Sequence, residues 1–312
     1  MSHINYIVKR LLQILPVLLC VTILIFAMMR LIPGDPARIQ LGENARESAV
    51  QALRLKMGLD EPLVTQYFLF MKQLITLDLG TSLLYQIPVV ELISQRIGLT
   101  FSLAGVSMFF IILISFPLGY IAGMNKDKAA DQTIRVISLA AISMPSFWLG
   151  ILLMLLFGVK LGLLPVGGWG STPVEHIKGL LLPGIASAMV TSALVMRNLR
   201  NSIVDINNLD YVDFARSKGL MDKTVKKNYI MRNALLSAVT LLAMRFAWLL
   251  GGSVVIETVF ALPGIGKLLV DSIFARDYPV VQSIVFLLSF SVLVINLITD
   301  VLYAFLDPRI RL

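Results

Sequence analysis

The sequence predicts an all-α integral membrane protein with about six transmembrane helices. Apolar residues make up 57% of the 312 positions and charged residues 15%, where a soluble chain would carry about 25% charged. Mean hydropathy is +0.83. The apolar residues fall in blocks of about twenty, the length a helix needs to cross the hydrocarbon core. Basic residues gather between the blocks, as they do in the cytoplasmic loops of membrane proteins.

The first block is Leu11 to Ile32, behind the basic pair Lys9 and Arg10. A basic start and an apolar core also describe a signal peptide. This core is long, and "FAMMRLIPGDPA" has no small-x-small cleavage site, so the block reads as a retained span. Segment 33–98 is more polar. Helical pieces are expected around Glu47–Met57 and Leu63–Leu77, with turns at Gly58, Pro62, Gly80 and Pro88. The remaining blocks are Leu99–Met124, Val136–Val159, Leu180–Met196, Ala234–Val259 and Val280–Leu306. The fourth span is the shortest and contains Pro183, which neighbouring helices can accommodate. The chain thus divides into an N-terminal tail and first span (1–32), an extracytoplasmic segment (33–98) and a core of five spans (99–312). The core includes a cytoplasmic loop at 197–233.

Orientation follows from Lys and Arg in the short loops. With the N-terminus inside, inner segments hold Lys9 and Arg10, then Lys126, Lys128 and Arg135. They next hold Arg197, Arg200, Arg216, Lys218, Lys223, Lys226, Lys227 and Arg232, and finally Arg309 and Arg311. Short outer loops hold Lys160, Lys178, Lys267 and Arg276. Both termini are therefore expected in the cytoplasm.

Several classes fall away. The net charge of +8 comes from these loops and does not call for nucleic acid. A single cysteine, Cys20, cannot form an internal disulfide. Two histidines, His3 and His176, make no His/Cys cluster for a metal. The fourteen methionines read as adaptable packing. "ALPGIGKLL" fails as a phosphate loop, because Ala261 stands at the first glycine and Leu268 follows the lysine where Ser or Thr should be. With no HExxH or GxSxG either, the chain offers no catalytic residues and is not expected to be an enzyme. It is expected to bind no cofactor or metal.

The longest inner loop contains "DYVDFARSKGL". Asp210 is placed to N-cap a helix starting at Tyr211, with Asp213 at the capping-box position. Arg216 and Lys218 fall in the last turn, and Gly219 can take the left-handed conformation that ends a helix. Asp222 is placed to cap a second helix. Tyr211, Phe214 and Ala215 share one face by i, i+3, i+4 spacing. Two turns are not stable alone, so this face packs on the protein's own helix ends, lies at the headgroups, or docks into a groove on a cytoplasmic partner.

The segment resembles the cytoplasmic loop of ATP-binding-cassette importer permeases. Their pattern runs Glu-Ala-Ala, three residues, Gly, then Ile-x-Leu-Pro. Here Asp213-Phe214-Ala215 and Gly219 keep the first part, while Arg232-Asn233-Ala234 replaces the second. "Ala-Arg-Ser-Lys-Gly" with "Arg-Asn-Ala-Leu" is similar to the peptide/nickel branch. So are "MRLIPGDPAR", "GLDEPLVTQY", "LDLGTSLLYQIPV", "RIGLT", "ETVFALPGIGKLLVDSIFARDYPVVQ" and "LDPRIR", in that order along the whole chain.

The resemblance implies a bacterial inner-membrane subunit that forms half of a path for di- or oligopeptides, glutathione-like ones included, or alternatively for a nickel or other metal chelate. It implies a second, homologous permease, two ATPase subunits that hold ATP and Mg, and an extracytoplasmic binding protein. Residues 210–219 would be the ATPase-coupling helix. Segment 33–98 could meet the binding protein or act as a lid.

Three charges lie within spans. Arg245 sits mid-span in "LLAMRFAWLLGG", where an arginine costs roughly 2.5–3.5 kcal/mol on insertion scales. Glu257 and Asp300 are its candidate partners in an ion pair. The other reading faces Arg245 to the translocation path. Gly251-Gly252-Ser253 would allow close helix approach. A membrane enzyme would need a catalytic pair that Arg245, Glu257 and Asp300 do not form. A secondary carrier would need symmetric halves, and no repeat is visible.

Overall fold

The apolar blocks become long helices because a bilayer offers backbone groups no partner, and a helix satisfies them internally. The computed structural model describes residues 3–31, 34–42 and 44–306. Ile32, Arg309, Arg311 and most of "LDPRIR" lie outside the described residues. In chain order the helices are α1 (His3–Leu31), α2 (Pro36–Leu41), α3 (Glu47–Lys56), α4 (Leu63–Thr76) and α5 (Val89–Met124). Then come α6 (Ala129–Ser143), α7 (Ser146–Leu153), α8 (Pro173–Asn207), α9 (Asp210–Ser217) and α10 (Asp222–Thr224). The last are α11 (Arg232–Val259), α12 (Ile265–Phe274) and α13 (Tyr278–Leu306). π-helical turns at Met154–Lys160 and Val225–Met231 extend α7 and precede α11. Among the described residues the only extended pairing is an isolated bridge between Thr81 and Pro88.

Among the described residues five helices are long and apolar enough to cross a membrane, and a bent pair makes up to six. The bent pair covers the predicted third span, Val136–Val159. α6 and α7 meet at 102° instead of forming one rod. Pro145 disfavours helical backbone at the residue before it, and Met144 is extended at φ −93, ψ 130. The fourth span, apolar over the shortest stretch, lies in a 35-residue helix, and 67% of its apolar window is buried against 33% or less for the other single-helix spans. Its few bulky residues follow from its place: α8 packs on α6, α7 and α11, so protein rather than lipid covers it. At Gly184 a Cβ would stand 2.6 Å from Val106 of α5, which only glycine permits.

The described chain forms two compact units. One falls within Met1–Thr100 and Pro263–Val294. In it α3 and α4 lie where the sequence places helices, and α2 is added, opened by Asp35, whose carboxylate accepts from the Ala37 N–H at 3.0 Å. Phe26 of α1 packs with Phe70 and Leu74 of α4. Ile25 and Met29 pack with Tyr278 and Val281 of α13. A tight turn at 80–89 closes with the Ser82 N–H on the Ile87 carbonyl. The turn is held by Asp277, which is fully buried and accepts from the Ser82 hydroxyl at 2.5 Å and the Leu84 N–H at 3.0 Å.

The other unit falls within Phe101–Leu262 and Ile295–Arg311. Its core joins Leu199 and Ile203 of α8, Val212 and Ala215 of α9, Val225 and Ile230 of the second π turn, and Ala234 and Ala238 of α11.

Candidate docking site

α9 is built by local chemistry. Leu209 is extended (φ −88, ψ 141) and is the N-cap, with no side-chain cap bond. The predicted cap at Asp210 therefore does not form. Asp210 is the first helical residue, where its charge favours the helix's positive end. Asp213 turns to Arg216, at 3.1 Å. Arg216 also donates to the Asn207 side-chain oxygen at 2.6 Å, tying α9 to the last turn of α8. Gly219 takes φ +77, and its N–H donates to the Arg216 carbonyl at 2.9 Å. The Leu220 N–H reaches back to the Ala215 carbonyl at 3.4 Å. Asp222 likewise opens α10 as its first residue, behind Met221 as the cap, and pairs with Lys226.

The predicted face of Tyr211, Phe214 and Ala215 is split. Ala215 is buried with Val212, the two residues i, i+3 that point into the core. Tyr211 and Phe214 sit about a hundred degrees round the helix and are exposed, Phe214 by 61%. The Tyr211 hydroxyl is within 3.4 Å of the Tyr229 carbonyl and accepts from the Asn233 amide at 3.2 Å, which fixes the edge of the helix. The Lys218 ammonium stands 4.5 Å from the Phe214 ring centroid. Met221, 75% exposed, and Leu220 continue an apolar surface. A small helix anchored on one face and presenting an aromatic on the other, followed by an exposed methionine past its end, is a shape that fits a groove.

The three charges within spans differ in burial. Arg245 is half-buried on α11. Glu257 is fully buried and Asp300 half-buried. A Cβ at Gly251 would meet nothing within 4 Å among the described residues. The side chain of Ser253 is buried.

A buried ion pair joins α8 to α6. Arg200 of α8 donates Nε and Nη2 to Asp131 of α6 at 3.1 and 2.6 Å. Asp131 is fully buried and also accepts from the Asp127 N–H at 2.9 Å. The pair spans 69 residues of sequence. Its one local signal is a lone acid at the start of an apolar block. Arg30 was also missed: its guanidinium donates twice to the Gln66 side-chain oxygen, at 3.0 and 2.6 Å, and covers the Phe26 ring.

The comparisons with known proteins agree with this architecture. The chain belongs to the family described as binding-protein-dependent transport system inner membrane component, which matches residues 115–312. The family's N-terminal component matches residues 3–104. It is thus an ABC importer permease, a multi-pass protein of the bacterial inner membrane. Within that class it belongs to the peptide/oligopeptide branch. A Brucella abortus (strain 2308) protein, provisionally named a peptide transport system permease protein, is 39% identical over 308 residues, 98% of each chain. The glutathione transport system permease protein GsiC of Pectobacterium atrosepticum is also 39% identical over 308 residues, 99% of each. Among solved structures, a chain from inward facing conformations of the MetNI methionine ABC transporter superposes with TM-score 0.59 at 17% identity, covering 69% of this chain and 96% of that one. That likeness speaks for the fold alone.

Proposed function

We propose that this chain forms half of the translocation path for di- or oligopeptides, glutathione-like ones included, and that α9 couples the path to an ATPase subunit. The observation that carries the reading is the construction of α9. Its inner face is fixed to the core by Val212 and Ala215, its outer face leaves Phe214 uncovered, and Met221 just past its end is exposed too. A push on α9 therefore reaches α8 and α11 through packed side chains. The peptide and glutathione names of relatives at 39% identity support the cargo class. A metal chelate such as a nickel complex is the second reading, from the branch's resemblance.

In this account both termini face the cytoplasm, and a second, homologous permease completes the path. Two ATPase subunits hold ATP and Mg and carry out hydrolysis, and an extracytoplasmic binding protein delivers substrate. ATP-driven closure of the ATPases moves α9 with its groove and opens the path outward; hydrolysis resets it. Arg245, half-buried mid-span, faces the path and meets a substrate carboxylate, with an ion pair to Glu257 or Asp300 as the second reading. The test is uptake of labelled dipeptide and glutathione by vesicles holding the assembled importer and its binding protein. ATP-dependent uptake that Phe214→Ala depresses without loss of the chain from the membrane supports the reading. Uptake indifferent to ATP contradicts it.

A further inference from the structure

The basic cleft beside the Asp131–Arg200 pair is not explained by coupling or by a peptide path. It has a volume of about 820 Å³ and opens among the α5–α6 turn, α6 and the end of α8. Arg200 is held by Asp131 and by Asn201 at 3.3 Å, so one wall is fixed and electrically balanced. Lys126, Arg135 and Arg197 also line the cleft, with Asp127 as the acid facing them, which leaves an excess of positive charge. All three cations are exposed.

Behind them the lining turns apolar. Arg135, Leu139 and Ile142 follow at i, i+4 and i+7 along α6, a single stripe about 10 Å long. Val136 and Met196 flank it. Lys126 lies in the short turn joining two apolar helices, so the mouth of the cleft is at a membrane surface and the stripe runs toward the hydrocarbon. Basic groups at the surface above an apolar stripe match one ligand chemistry: a phosphate-bearing headgroup carrying an acyl chain.

We infer that this cleft is a binding site for one anionic phospholipid, with Lys126, Arg135 and Arg197 around the phosphate and an acyl chain along Val136, Leu139 and Ile142. Occupancy would brace α6 against α8 at the surface where the coupling loop begins. The site does not depend on which peptide is carried.

The assembled importer, purified in mild detergent with added phosphatidylglycerol, tests it by native mass spectrometry. The wild-type chain should retain phosphatidylglycerol in preference to phosphatidylcholine of the same chain length. The double variant Arg135→Gln/Arg197→Gln should lose affinity about thirtyfold, the loss of two basic contacts with an anionic lipid. Lys223→Gln/Lys227→Gln, exposed outside the cleft, should retain the lipid. Equal retention by both double variants overturns the site. Displacement of the lipid by millimolar inorganic phosphate would identify a free-anion site and overturn the lipid assignment. Cross-linking from Leu139→Cys to the second permease chain, in place of lipid retention, would make the cleft a protein interface.

Discussion

Asp131 shows what a single buried charge commits the chain to. It is fully buried and held by Arg200 and by the Asp127 backbone. Removing one member of such a pair leaves the other uncompensated, at a cost of about 3–5 kcal/mol. Asp131→Asn should therefore lower the thermal midpoint of the purified chain well beyond Asp213→Asn, which breaks only the exposed bond to Arg216; equal midpoints would contradict this. Asp277 acts likewise in the other unit, where it fixes the Ser82 hydroxyl and the Leu84 N–H. Asp277→Ala should leave both donors unsatisfied, at about 1–3 kcal/mol each. Limited proteolysis near residues 80–89 should detect the loosened turn. Gly219 presents a different case. A Cβ there meets nothing within 4 Å, so Gly219→Ala costs only the left-handed backbone, about 1–2 kcal/mol. Gly219→Pro cannot adopt φ +77 at all. The first should retain most uptake, and the second should abolish it with the chain still in the membrane. Normal uptake by the proline variant would remove the coupling role.

The helices were legible to different depths. Long apolar blocks need no tertiary information: α5, α11 and α13 contain the predicted spans, and α1 covers the first as far as Leu31, Ile32 lying outside the described residues. α3 and α4 end within a residue of their expected bounds, because Gly58, Pro62 and Gly80 punctuate them. The bend between α6 and α7 was not read, since hydropathy averages across Met144 while the backbone restriction comes from Pro145 alone. Pro145→Ala should relieve that restriction and lower the 102° bend, which distance measurements between labels in α6 and α7 would detect. In α9 the existence and end of the helix were readable, while its cap lay one residue earlier than expected and its buried face was not legible. Two neighbouring stripes, 211/214 and 212/215, satisfy the same spacing rule, and only the core decides between them. Asp131–Arg200 and Ser82–Asp277, separated by 69 and 195 residues, carry no periodic signal at all. The last pair does, however, join two stretches, "LDLGTSLLYQIPV" and "ARDYPVVQ", that resemble the branch separately.

At the scale of the whole molecule, the proposal is that energy enters this permease through α9. The membrane helices have family relatives along nearly their full length. The chemistry that would power them is assigned to partners, and α9 is the surface where a partner is expected. The most direct measurement places a cysteine at position 214 in a chain whose Cys20 has been replaced by serine, and cross-links the assembled importer in native membranes. The account expects a product with an ATPase subunit whose yield changes when ATP is added. Cross-links confined to this chain, with no ATPase co-purifying, would contradict it.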